Sequence, residues 1–135
     1  MAEISQTPAS VIPGSDAIYA RGIAGGTVTA GAPVYLDETT QRYLVADANA
    51  SLSTAEVKGI ALGAASAGQP LRIQVAGTIT IGGTVVLSTI YILGAAGGIA
   101  PASDLASGWF TTILGVATSA TQLRLCIFAS RALKA

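Results

Sequence analysis

The run Leu71-Arg72-Ile73-Gln74-Val75-Ala76-Gly77-Thr78-Ile79-Thr80-Ile81 decides how this chain is read. It opens a stretch in which the 31 residues between Arg72 and Asp104 carry no charge. A stretch of that length could be a membrane-spanning helix. Its composition argues otherwise: it holds Gln74, Thr78, Thr80, Thr84, Ser88 and Thr89, six glycines between Gly77 and Gly98, and Pro101 near its end. Each Gly costs about 1 kcal/mol relative to Ala inside a helix, and β-branched residues are weak helix formers as well. Thr78-Ile79-Thr80-Ile81 alternates with period two, as a half-buried strand does. In Leu71–Val75 the apolar residues point one way, and Arg72 and Gln74 the other. No Lys/Arg cluster or aromatic belt flanks the stretch. The reading is therefore strands, with no membrane span. The N-terminus lacks a basic segment followed by an apolar run, so no signal peptide is expected.

Working outward, short strand patterns recur along the chain. They cover 27–30, 34–36, 41–45, 57–62, 71–75, 78–81, 85–87, 90–93, 110–117 and 122–129. Gly pairs and Asp/Asn/Ser clusters separate them at spacings suited to a sandwich or barrel. Residues 46–56 and 101–108 read as loops or single helical turns, the second with Ser103 or Asp104 as a cap. Several phrases occur twice in the same order. Gly26–Gly31 with Val34-Tyr35-Leu36 resembles Gly77–Gly82 with Val85-Val86-Leu87. Gly59-Ile60-Ala61 returns as Gly115-Val116-Ala117, and Leu71–Val75 as Leu123–Ile127. The pattern predicts an internal pseudo-repeat of about 50 residues, longer than most solenoid repeats and present only twice. Chance reuse of one turn chemistry is the alternative.

The 135 residues make one domain. Residues 1–20 are polar, carry Pro8 and Pro13 and lack periodicity, so they read as an extended N-terminal arm ahead of a single β domain over 21–135. The arm is either a frayed terminus or a segment that orders on a neighbouring chain. Seven Lys and Arg balance seven Asp and Glu, and charged residues are 10% of the chain, against about 25% in an average domain. That excludes sequence-independent nucleic-acid binding and a polybasic membrane patch, both of which need clustered cations. Apolar residues reach 51% but aromatics only 5%. A chain with so weakly protected a surface lives in a membrane or has much of that surface covered by partners.

There is no His, and Cys126 is the lone Cys. Ser-His-Asp and Cys-His catalysis, His-ligated metals and internal disulfides are therefore out. Asp37-Glu38 are adjacent and would point to opposite faces of a strand, which suits a turn better than paired-carboxylate catalysis. Asp47 and Asn49 lack the later acidic ligands of a calcium loop. The Gly-rich run at 94–98 lacks the Lys of a phosphate loop. Cys126 has no Lys or His close in sequence, so a buried, inert thiol is expected. No catalytic residue, cofactor, metal or small-molecule substrate is predicted. Trp109-Phe110 reads as core packing, with an interface anchor as the alternative. In the second phrase copy, Cys126 and Phe128 stand where the first is polar, which suggests a covered face.

Five phrases together resemble the small capsid cement, or decoration, proteins of tailed bacteriophages. They are Gly-Thr-Val-Thr-Ala-Gly-Ala-Pro-Val-Tyr-Leu-Asp at 26–37, Val-Lys-Gly-Ile-Ala-Leu-Gly at 57–63, and Ala-Gly-Gln-Pro-Leu-Arg-Ile-Gln at 67–74. The others are Gly-Gly-Ile-Ala-Pro at 97–101 and Gly-Trp-Phe-Thr-Thr-Ile-Leu-Gly-Val-Ala at 108–117. The resemblance spans roughly residues 20–130 and leaves out the arm. Each phrase is a turn plus a strand; the specificity lies in the ordered set. The resemblance implies a compact all-β domain, barrel-like or tulip-like and usually trimeric. It would sit on the outer surface of an expanded phage head where capsomers meet, after synthesis in the bacterial cytoplasm. Its partners would be the major capsid protein and further copies of itself, with no nucleic acid or membrane. Ile4, Val11 and Ile12 of the arm are then the candidates for capsid contact, and deleting residues 2–15 should leave the domain folded. Tyr19, Trp109 and Phe128 are the candidates for subunit contacts. A tail-fibre or surface-adhesin domain that binds a host receptor or glycan is the alternative function.

Overall fold

The computed structural model describes residues 4, 6–51, 53–94, 97–105 and 107–133. These residues form an all-β structure with no α-helix, built as one curled antiparallel sheet that makes a half-barrel. Its strands are β1 (Val11–Pro13), β2 (Ile18–Ile23), β3 (Pro33–Asp37), β4 (Arg42–Val45) and β5 (Val57–Ala61). They continue with β6 (Pro70–Ile81), β7 (Ile90–Leu93), β8 (Ile99–Pro101), β9 (Phe110–Ala117) and β10 (Gln122–Leu133). Short 3-10 turns lie at Pro8–Ser10, Ser53–Ala55 and Ala102–Asp104. No helix among the described residues is long and apolar enough to cross a membrane.

Neighbouring strands follow the order β4-β3-β5-β6-β10-β9-β7-β8. The two sequence patterns at 71–75 and 78–81 fuse into one long β6, which is the hub. Its first half pairs with β2 and β5, its second half with β1 and β10. The N–H of Gly25 donates to Tyr43 O at 2.8 Å, so the sheet curls until the end of β2 meets β4.

Both faces of the middle strands are buried. Ile60 of β5 belongs to the larger core with Ile79, Ile81, Tyr91, Leu93, Leu114, Leu123 and Trp109. Its neighbour Ala61 belongs to the smaller core with Val28, Val34, Leu71 and Ile73. Adjacent strand residues face opposite ways, so β5 is a wall between the two cores. Glycines let neighbouring strands approach closely in this sheet. A Cβ on Gly59 would lie 2.7 Å from Gln74 O, and one on Gly115 would lie closer still to Arg124 O.

Gln74 departs from the sequence reading, which put it with Arg72 on the polar face. Arg72 is exposed, but Gln74 is fully buried. It sits where β6 exchanges β5 for β10: Ile60 pairs with Gln74 and Cys126 with Ala76. Its Nε2 donates to Ala76 O at 3.1 Å and Thr78 O at 2.9 Å, so a side-chain amide serves main-chain carbonyls at the fork. Its Oε1 has no partner among the described residues.

Other expectations also shift. Residues 27–30 make only a single bridge, Val28 with Ala65, and 85–87 form no strand. The phrases 26–31 and 77–82 therefore land on unlike elements. Ala102–Asp104 has Pro101 at its N-cap and no side-chain cap, so neither Ser103 nor Asp104 caps it. The segment read as an arm is bound to its own domain over much of its length. β1 pairs with β6, Ile4 N–H donates to Ile99 O, and Thr7 N–H donates to Gly82 O.

Candidate functional site

The exposed surface carries two bands of large apolar side chains. In β2, Tyr19, Arg21 and Ile23 turn outward while Ala20 and Gly22 are half-buried. Gly22 has to be a glycine here, because the Tyr43 ring packs over it where a Cβ would be. Ile12 and Ile18 extend this band along the same side of β6, and Ile12 is 57% exposed. The second band lies at β7 and β9. Val86 and Leu87 are exposed in the segment before β7, and exposed Ile90 stands directly across from exposed Val116. Phe128 is exposed on β10 with Arg124 and Cys126, all on one face because they alternate along the strand. Cys126 is thus a surface thiol, not the buried one expected from sequence.

Two charged features accompany the bands. Arg21 and Arg72 are cross-strand partners. Ala24 N–H donates to Gln69 O in the same ladder, so the arginines occupy a non-hydrogen-bonded position, where side chains lie closest. The Arg72 guanidinium sits over the Tyr19 ring, 4.7 Å from its centroid, a cation–π contact. The second feature is a groove of about 740 Å³ at the tip of the β3–β4 hairpin. Tyr35, Asp37, Glu38, Ser51, Ser53, Glu56 and Lys58 line most of it. Local chemistry shapes this rim: Asp37 Oδ1 accepts the Thr39 N–H, and Thr54 Oγ1 donates to Asp47 O.

Asp16 ties the β1–β2 turn to β6. Its Oδ1 accepts the Thr78 N–H at 2.9 Å, and that bond is the main reason its carboxyl lies below the usual value. The Thr78 hydroxyl and the charge of Arg124 act in the same direction. No group of three or more His, Cys, Asp or Glu able to hold a metal occurs among the described residues.

The structure separates the residues singled out from sequence. Val11 is buried and Ile4 packs against the larger core, so among the three arm candidates Ile12 is the outward-facing one. Trp109 is only 7% exposed and belongs to that core, whereas Phe128 is 60% exposed and Tyr19 is exposed beside Arg72. The Arg21–Arg72 pair was not visible in sequence, because 51 residues separate its members and only the β2–β6 register joins them. No family model matches the chain, and no curated protein matches it.

Proposed function

We propose that this chain is a structural capsid cement protein, a homotrimer bound to the outer surface of a tailed-phage head where capsomers meet. Two exposed apolar bands on one small β domain carry the reading. A cement protein acts by burying its own surface against several neighbours at once, and it needs more than one contact face. It stabilises the shell by mass action, because it binds the assembled lattice and not loose subunits. Ile12, Ile18 and Ile23 form one such face, with Val86, Leu87, Ile90 and Val116 forming the other. The ordered phrases that resemble decoration proteins point the same way.

The duplicated plan belongs to this proposal too. Val34 opposite Gly59 is followed by Tyr35 opposite Val57, and Tyr91 opposite Gly115 by Ile92 opposite Ile113, so both strand pairs slip alike. Gly31 and Ser88, both at positive φ, donate their N–H groups to Ala61 O and Ala117 O. These matches support a pseudo-two-fold built on β3–β6 and β7–β10.

The test is cosedimentation of the purified chain with expanded heads and with unexpanded shells. Saturable binding to expanded heads, with a raised temperature of head disruption, is the expected result. Failure to bind either particle overturns the proposal. A second reading, a tail-fibre or adhesin domain, is favoured by the hydroxyl- and carboxylate-lined groove. A saturable glycan-array signal lost on Tyr35→Ala would select it.

A further inference from the structure

Arg21 and Arg72 are directly opposed, exposed, and without an acidic partner among the described residues. Like charges at facing positions destabilise a strand pair, so the arrangement is costly in an isolated chain. An anion that meets both guanidinium groups removes that cost. A shallow pocket of about 260 Å³ is lined by both arginines with Gly22, Pro70 and Leu71. The stacking of Arg72 on Tyr19 holds its planar group in place, which lowers the entropy lost on binding.

The same chain carries the complementary charge elsewhere. Asp37, Glu38 and Glu56 line the hairpin groove against the single Lys58, and Arg42, across the hairpin from Asp37, is not part of its lining. Formal charge balances to zero over the whole chain, yet two of the seven cations stand together as Arg21 and Arg72, and three of the seven carboxylates line one groove beside Lys58. We propose that the chain self-associates head to tail, the Arg21–Arg72 pair of one copy binding the Asp37–Glu38 groove of the next. Carboxylates meet guanidinium forks in short, charge-assisted, often bidentate bonds. Ile18 and Ile23 supply apolar area beside the pair. A contact between two unlike patches is heterologous, and it yields a closed ring when the rotation between copies closes. This names the contact that holds the proposed trimer and rests on that reading.

The test is the solution mass of the full chain by light scattering, over a range of concentrations at low and high salt. The wild type should reach three times its 13.4 kDa protomer mass at low salt and dissociate more readily at high salt. Arg21→Glu with Arg72→Glu should raise the association midpoint at least about tenfold. Asp37→Lys with Glu38→Lys should do the same, and all four changes in one chain should restore association. Thermal melting of each variant confirms that it folds. A monomeric wild type, or an arginine variant that associates normally, overturns the proposal. A four-fold swap that melts normally but stays monomeric rejects the groove as the counterpart. Capsid binding is read separately: a chain that associates as described yet ignores heads refutes the cement function and leaves this contact standing.

Discussion

Gln6→Ala combined with Val11→Ala should destabilise the whole chain, although both lie in a segment that reads from sequence as a detachable arm. The Gln6 Nε2 donates to Gly31 O at 3.0 Å and to Ile81 O at 2.9 Å. Each such bond contributes about 1 kcal/mol net to stability. Val11 is buried in the larger core, and its Cγ2 lies beside Gly31 and Gly82, at 3.0 Å from where either Cβ would be. Truncation to Ala removes two methyl groups at about 0.8 kcal/mol each and adds a cavity term. The sum is about 4 kcal/mol, less any coupling, since both side chains meet at Gly31.

A domain of this size has about 5–15 kcal/mol to lose. At about 3–5 °C per kcal/mol, the double variant should melt about 12–20 °C below wild type. Calorimetry and urea titration check this, and the two single variants measure the coupling. A double variant that melts within about 3 °C of wild type would falsify the reasoning: residues 6–13 would then be an arm after all, free to order on another chain. The expected loss also bears on the deletion of residues 2–15. That deletion should weaken the domain itself, so lower capsid occupancy by the truncated chain would not by itself report a lost contact.

Trp109→Ala should cost about 3–5 kcal/mol as a large core deletion. Phe128→Ala should stay within about 0.5 kcal/mol in stability while lowering capsid occupancy or self-association; equal melting losses for the two would contradict their assigned places. Gly115→Ala should destabilise by about 1–3 kcal/mol through overpacking against the β10 main chain. Gly63→Ala, where a Cβ meets nothing within 4 Å, should be neutral or stabilise by up to about 1 kcal/mol; urea midpoints rank the pair. Asp16 has a depressed folded-state pKa, so its contribution is present above the unfolded value and lost as pH falls through the folded one. Asp16→Asn should therefore flatten the acid limb of the stability curve below about pH 4, and parallel limbs for variant and wild type would exclude the Thr78 contact as its source.

What the sequence revealed and what it hid have separable physical causes. Seven of the ten strands announce themselves by alternation or by β-branched runs, because most of them bury one or both faces. The strands β1, β2 and β8 do not. Val11–Pro13 and Ile99–Pro101 are three residues long and contain Pro, and in β2 the inward positions are Ala20 and Gly22, too small to register as an apolar face. Tertiary pairing with β6 makes β1 and β2 strands, and no local pattern reports it. Gln74 misleads for a related reason. Its polarity suggests solvent, but a fork between two neighbouring strands leaves main-chain carbonyls to satisfy, and a buried amide does so. Trp109 read both as core packing and as a subunit-contact candidate, and it lies in the core. The exposure of Cys126 and Phe128 was not legible, because alternation assigns residues to faces but cannot say which face another element covers.

The same limit explains why the charged surface had to be found in three dimensions. A sequence 10% charged with zero net charge reads as electrostatically blank. Folding changes that reading without changing a residue. The β2–β6 register brings Arg21 against Arg72, and the hairpin and the 46–56 loop bring carboxylates to one groove. The opposed pair concentrates two of the chain's seven cations at one point of the surface, and charge of one sign gathered at one place raises the local potential. Apolar bands supply non-directional attraction, which by itself does not fix how two copies align. An opposed arginine pair and an acidic groove supply direction, and like-charge juxtaposition penalises every other alignment. Sparse charge is therefore compatible with specific assembly, provided the fold gathers it, and the charge-swap experiment measures whether this fold does.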